Sequence, residues 1–117
     1  MPKRILIAED ELEIKDLLAL IATRYGYDVV SATDGVELLN IAAKEKFDVI
    51  ITDLKMPNLN GASASEILEL QGDTTPIIAL TALNPQDIDL VIDKFTKVFY
   101  KPYDVKELFR YVETLLG

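Results

Sequence analysis

Histidine and cysteine are both absent from this 117-residue sequence. Without histidine the chain lacks the usual general base, the commonest transition-metal ligand and any phosphohistidine of its own. Without cysteine it forms neither a disulfide nor a thiolate metal site, which suits a reducing compartment and makes a cytoplasmic location the default expectation. No apolar run approaches the roughly 20 residues that span a bilayer. Met1-Pro2-Lys3-Arg4 leads only into Ile5-Leu6-Ile7-Ala8 before Glu9 and Asp10 interrupt, so the opening reads as a strand and not as a signal peptide. Positive charge is scarce as well: 12 Lys and Arg stand against 20 Asp and Glu, for a net charge of -8. Such a field repels phosphate backbones and anionic lipid and favours cations or basic partner surfaces, so neither direct nucleic-acid binding nor membrane binding is expected. Chemistry carried by this chain must use carboxylates, hydroxyls and lysine.

Half of the residues are hydrophobic and 27% are charged, a globular balance at a length that suits one domain over residues 1–117. Short apolar runs alternate with longer stretches of helical spacing. The run Ile5 to Ala8 precedes Ile14, Leu17, Leu18, Ile21 and Tyr25; Tyr27 to Val30 precedes Val36 to Ala43; Val49 to Ile51 precedes a helix around Ala62 to Leu70. Pro76 to Leu80 reads as a fourth strand, followed by a helix that opens on the capping residue Asn84 and on Pro85 at its first position. Lys97 to Tyr100 reads as a fifth strand. The last helix opens on Asp104 with Glu107 three residues on, a capping box, and carries Val105, Leu108, Phe109, Val112, Leu115 and Leu116 on its expected buried side. Strand-helix alternation of this kind predicts an α/β, doubly wound fold: a parallel sheet with right-handed crossovers and helices on both faces.

In such sheets the functional groups collect at the carboxyl ends of the strands, where the strand order reverses. There the sequence places Glu9 and Asp10 after the first strand, Asp53 after the third, Thr81 after the fourth and Lys101 after the fifth. Three carboxylates in one place repel one another unless a cation sits among them, and an oxygen-only set without histidine or cysteine suits Mg²⁺. A carboxylate-held Mg²⁺ is what phosphoryl transfer uses, and an aspartate is a nucleophile able to form an acyl phosphate. Asp53 takes that role here, with the Lys101 ammonium and the Thr81 hydroxyl as donors to the other phosphoryl oxygens.

Taken together, Glu9-Asp10 behind Ile5-Leu6-Ile7-Ala8, Asp53 within Thr52-Asp53-Leu54-Lys55-Met56-Pro57 with Gly61 beyond, Thr81-Ala82 and Lys101-Pro102 resemble the response-regulator receiver domain of two-component signalling, over the whole chain. The resemblance implies a flavodoxin-like five-stranded sheet of order 2-1-3-4-5. It implies that Asp53 is the phosphoacceptor, Asp10 a direct metal ligand, Glu9 an outer carboxylate acting through water, and the Lys55 backbone carbonyl a further ligand. Thr81 would be the switch hydroxyl, Lys101 the phosphate-facing lysine, and the Lys101-Pro102 peptide cis. The implied partners are a sensor histidine kinase or histidine phosphotransfer protein upstream and an output partner downstream. The chain would be a phosphoacceptor assisting its own phosphorylation and dephosphorylation, not an enzyme acting on other substrates. Val98 stands three residues before Lys101, where the family often has an aromatic switch residue, and Tyr100 is out of that register.

Blander and rival readings follow from single residues. Asp10 with Glu13 reads as an ordinary helix cap, Asp53 as a turn residue and Lys101 as a solvated lysine. Glu9 resists the bland reading, since an acid at the mouth of a buried strand has no capping role. A flavin-binding flavodoxin-type module shares the fold, but its first loop should offer Ser, Thr and Gly amides to phosphate, whereas Glu9-Asp10-Glu11 repels phosphate. A haloacid-type phosphohydrolase needs a second acid two residues after its nucleophile, and position 55 is lysine. A receiver fold used purely as an interaction module, without phosphorylation, is the remaining alternative.

Overall fold

The computed structural model describes residues 2–117. Five strands and five helices alternate: β1 Arg4–Ala8, α1 Leu12–Arg24, β2 Asp28–Ala32, α2 Gly35–Lys44, β3 Val49–Asp53, α3 Gly61–Leu70, β4 Ile77–Thr81, α4 Pro85–Ile88, β5 Lys97–Tyr100 and α5 Val105–Leu116, with a 3-10 turn at Ile92–Lys94 between α4 and β5. All strand pairs are parallel and their order is β2-β1-β3-β4-β5, so the predicted doubly wound sheet of order 2-1-3-4-5 is the observed one.

Strands buried on both faces read as continuous apolar runs, and β3 and β4 are buried at every position. Alternation then divides their side chains between two layers. Ile5, Ile7, Val49, Ile51, Ile78 and Leu80 face Leu18 and Ala22 of α1 and Leu108, Phe109 and Val112 of α5. On the other face, Leu6, Ala8, Ala32 and Ile50 meet Leu38 of α2, Ala64 and Leu68 of α3, and Met56 from the loop before α3. A small third cluster, Leu54, Ala79 and Ile88 with Val91, Phe95 and Val98 against it, lies under α4.

Several local expectations are corrected. Of the residues at helical spacing, Leu18 is buried while Leu17 and Tyr25 are 50% and 43% exposed, and Tyr25 lies just past the end of α1, which packs on the sheet through Leu18 and Ala22. The α1 N-cap falls on Glu11, with no side-chain cap bond, so Asp10 lies outside the helix and does not form the expected cap with Glu13. Asp104 caps α5 through the amide of Lys106 and not that of Glu107, so the helix has a side-chain N-cap in place of the expected capping box. Asn84 does cap α4, accepting from the Asp87 amide at 3.0 Å, but α4 stops after a single turn.

Candidate functional site

The order β2-β1-β3-β4-β5 reverses between β1 and β3; Glu9 and Asp10 follow β1 directly, and β3 ends on Asp53. Their register pairs Ala8 with Thr52, so the next step along each strand sets Glu9 beside Asp53. Glu9, Asp10 and Asp53 bring carboxylate oxygens within 4.8 Å of one another, the group expected from sequence. Glu9 is fully buried and Asp53 is 5% exposed, while Asp10 is exposed at the rim.

The fifth strand delivers the counter-charge. The amide of Lys101 donates to the Thr81 carbonyl at 2.7 Å, which ties the end of β5 to the end of β4. From that anchor the Lys101 ammonium reaches Asp53 Oδ2 at 2.7 Å and stands 3.7 Å from Glu9 Oε1. The Lys101-Pro102 peptide is cis, as the resemblance implied. Burial works against the Lys101 charge, but the hydrogen bond and the charge of Asp53, with Glu9 behind it, outweigh that and raise its pKa. Burial first, then the neighbouring Asp53 charge, pushes Glu9 up to about 7. Tyr103, two residues after Lys101, is half-buried; burial raises its pKa against the lowering by Lys101, with Glu9 and Asp53 adding to the rise. No motif marked Tyr103 as part of the site.

The remaining groups are local. Asp53 Oδ1 accepts from the Lys55 amide at 3.2 Å. Thr81 is buried at the end of β4, and its hydroxyl accepts from the Leu83 amide at 3.0 Å, so in this state it is turned into its own loop. Thr52 is buried beside Asp53 and donates to the Asp53 carbonyl at 2.8 Å, a support that a threonine inside an apolar strand does not announce in sequence. Gly61 comes close beneath: a Cβ there would lie 2.5 Å from the Asp53 carbonyl oxygen. The Gly61 amide donates to the Leu54 carbonyl at 2.9 Å, which closes the loop from 55 to 60.

Among the described residues, Glu9 Oε1 is a buried oxygen with no hydrogen-bond partner, and 3.7 Å to Lys101 is too long to supply one. An orphaned carboxylate oxygen inside an all-oxygen acid cluster is the donor set a hard divalent cation accepts, so Glu9, Asp10 and Asp53 fit a Mg²⁺ ion. The set has neither the histidine nor the cysteine that transition metals prefer.

Comparison with known proteins agrees with this geometry. Residues 5–113 match the response regulator receiver domain family, and the chain belongs to that family. The alkaline phosphatase synthesis transcriptional regulatory protein PhoP of Bacillus subtilis is 35% identical over 121 residues, covering 99% of this chain and 49% of PhoP. The chain spans about half the length of these curated relatives, among them PhoP and response regulator MprA of Mycobacterium. Among solved structures, the receiver domain of Francisella response regulator 1452 superposes with a TM-score of 0.92 at 30% identity, covering 97% of this chain and 96% of that one. The response regulator TrrA of Thermotoga maritima, solved in complex with Mg²⁺-BeF, superposes with a TM-score of 0.88 at 29% identity, covering 97% and 98%. The protein is thus a receiver domain of the two-component type, with the flavodoxin-like fold; the flavin-binding and phosphohydrolase readings fall away.

Proposed function

We propose that this chain is a phosphorelay switch that accepts a phosphoryl group on Asp53 from a phosphohistidine of another protein, using Mg²⁺ held by Glu9, Asp10, Asp53 and the Lys55 backbone carbonyl. The observation that carries it is the pairing of the nearly buried Asp53 with Lys101 at 2.7 Å beside the partnerless oxygen of Glu9. A carboxylate of Asp53 attacks phosphorus, a C–O–P bond forms, the P–N bond to the donor imidazole breaks, and the imidazole leaves with the electron pair and takes up a proton. When bound, Mg²⁺ supplies positive charge to the oxygens of the moving group. Lys101 first holds the Asp53 carboxylate in place through the 2.7 Å contact; its flexible stem then lets the ammonium follow charge onto the phosphoryl oxygens. The Thr81 hydroxyl gives up its bond from the Leu83 amide and donates to a phosphoryl oxygen, carrying the signal into the loop before α4.

The donor is a sensor histidine kinase or a histidine phosphotransfer protein, since the chain has no histidine of its own. Residues 1–117 act as one receiver unit that assists its own phosphorylation and dephosphorylation, in the cytoplasm. PhoP, at twice the length, is named a transcriptional regulator. The acidic charge of these 117 residues argues only that they themselves do not bind DNA. Intact-mass spectrometry after incubation with acetyl phosphate and Mg²⁺ tests the reading. A single phosphoryl mass gain is expected, absent in chelator and in Asp53→Asn. A gain that survives either change overturns the assignment.

A further inference from the structure

The loop that follows Asp53 is gripped at its apex from a different strand-helix unit. Asn58 adopts φ 66, the left-handed region that asparagine enters more readily than most residues. Its Nδ2 donates to Asp34 Oδ2 at 2.7 Å, while Asp34 Oδ1 accepts from the Glu37 amide at 2.7 Å as the N-cap of α2. One carboxylate therefore caps α2 and holds the β3–α3 loop. Both bonds favour the charged form of Asp34, and the Glu37 amide first, then the Asn58 amide, lower its pKa. Beside it the two backbones touch: a Cβ on Gly35 would lie 2.0 Å from the Leu59 carbonyl oxygen. Neither Asp34 nor Asn58 belongs to the acid cluster.

Between Asp53 and this grip lies Lys55, whose backbone carbonyl completes the proposed Mg²⁺ ligands. A carboxylate ligand can adjust through its side-chain torsions, whereas a carbonyl goes where the loop puts it. Mg²⁺ demands near-ideal octahedral geometry and tolerates little misplacement. The loop is fixed on its near side by the Lys55 amide on Asp53 and in its middle by Met56, buried among Leu6, Ala8, Ala32 and Leu38. Beyond Met56, the Asn58 amide makes the side-chain hydrogen bond that joins the loop to the N-cap of α2, while Leu59 next to it packs against the core cluster that includes Leu38.

We propose that Asp34 and Asn58 are positioning residues for the cation site: a clamp between α2 and the β3–α3 loop that holds the Lys55 carbonyl in place and so sets the Mg²⁺ affinity of the phosphoacceptor site. The proposal rests on the metal reading given above. Outer contacts that orient metal ligands commonly carry a tenfold or larger share of affinity.

The test is calorimetric titration of Mg²⁺ into the full chain and three variants, with thermal unfolding in chelator run in parallel. Asn58→Gly keeps the left-handed backbone accessible and deletes the amide. It is expected to raise the Mg²⁺ dissociation constant roughly tenfold. Asn58→Asp sets a carboxylate against Asp34. Its added negative charge alone would tighten Mg²⁺ binding, so weaker binding than wild type is the outcome that the clamp requires. The pair Asp34→Asn with Asn58→Asp keeps the net charge of the wild type, reverses the hydrogen bond, and is expected to recover most of the lost affinity. A purely structural contact would move the chelator melting point and leave the affinity alone. Unchanged affinity in Asn58→Gly, or tighter binding in Asn58→Asp, overturns the clamp while wild-type binding preserves the site. Wild-type protein that takes up no Mg²⁺ overturns the metal reading itself, and the clamp with it.

Discussion

Glu9 is fully buried, and its Oε1 has no hydrogen-bond partner among the described residues and stands 3.7 Å from the Lys101 ammonium. Its pKa of about 7, against 4.5 for the free side chain, means that the native state binds a proton more tightly than the unfolded state does. The sign follows: the extra stability is fully present below the unfolded pKa and is lost as pH rises through about 7. In chelator, denaturant unfolding should therefore show stability falling between about pH 5 and about pH 8, by up to about 3 kcal/mol. Glu9→Gln, which cannot ionise, should flatten that slope, and a slope that persists in the variant would assign it to another group. Excess Mg²⁺ should oppose the slope, because it binds the deprotonated cluster. The type of residue at this site was readable from the chain. Glu9 stood out because an acid at the end of an apolar strand has no ordinary use, and Lys101 because a lysine before proline follows a strand. Tyr103 and Thr52 give no such signal: a tyrosine after Pro102 is an ordinary loop residue, and a threonine inside an apolar strand does not show that its hydroxyl bonds the Asp53 carbonyl.

The elements divide by how their ends are marked. Asn84 with Pro85, and Asp104, begin helices as sequence rules say, because capping is a local bond between a side chain and an amide two or three residues on. The end of α4 carried no such punctuation. Neither glycine nor proline follows it, yet the helix stops at Ile88, where Asp89 and Asp93 would place negative charge at the wrong end of its dipole and Val91-Ile92 adds two β-branched residues. The clamp between Asp34 and Asn58 was equally silent, being a contact across 24 positions. Glycines show the same divide. Gly61 belongs to the sequence motif beyond Asp53, but the reason for it is tertiary: a Cβ there would lie 2.5 Å from the Asp53 carbonyl oxygen. Gly61→Ala forces the start of α3 away from β3 and should destabilise the protein by about 1–3 kcal/mol, in the range of overpacked sites. Chemical denaturation checks this. Gly26→Ala is the comparison: it meets nothing within 4 Å and is opposed only by its φ of 92, so its effect should stay near 1 kcal/mol, at the scale of left-handed strain. Equal effects at the two sites would mean that contact with the Asp53 backbone is not what selects glycine at 61.

At the scale of the whole molecule, a phosphoryl group on Asp53 matters through what it moves. Thr81 and Tyr100 are register partners, as are Ala79 and Val98, so all four side chains share the face under α4. In receivers with an aromatic at the position of Val98, that ring can swing into the space the threonine leaves. Val98 is already packed with Leu54, Ala79 and Ile88, and valine has one side-chain torsion and a strongly preferred rotamer. The segment above it is held far less firmly. Ile88 is the one buried residue of α4, Leu90 is 87% exposed, and Leu83 and Leu90 line a groove of about 300 Å³ with Leu54, Lys55 and Val91. Few buried contacts mean a low free energy of local rearrangement. When the Thr81 hydroxyl leaves the Leu83 amide for the phosphoryl group, the backbone from 82 to 90 should therefore move more than any side chain of β5, reshaping the groove beside Lys55. Beryllium trifluoride with Mg²⁺, standing in for the phosphoryl group, makes this measurable by NMR. Large amide shifts from Thr81 to Leu90 with unchanged Val98 methyl signals are expected, and a response dominated by rotamer exchange at Val98 or Tyr100 would contradict it. Thr81→Ala should still take up beryllium trifluoride while losing most of the shift from Leu83 to Leu90, because it removes the one hydroxyl that connects the two events.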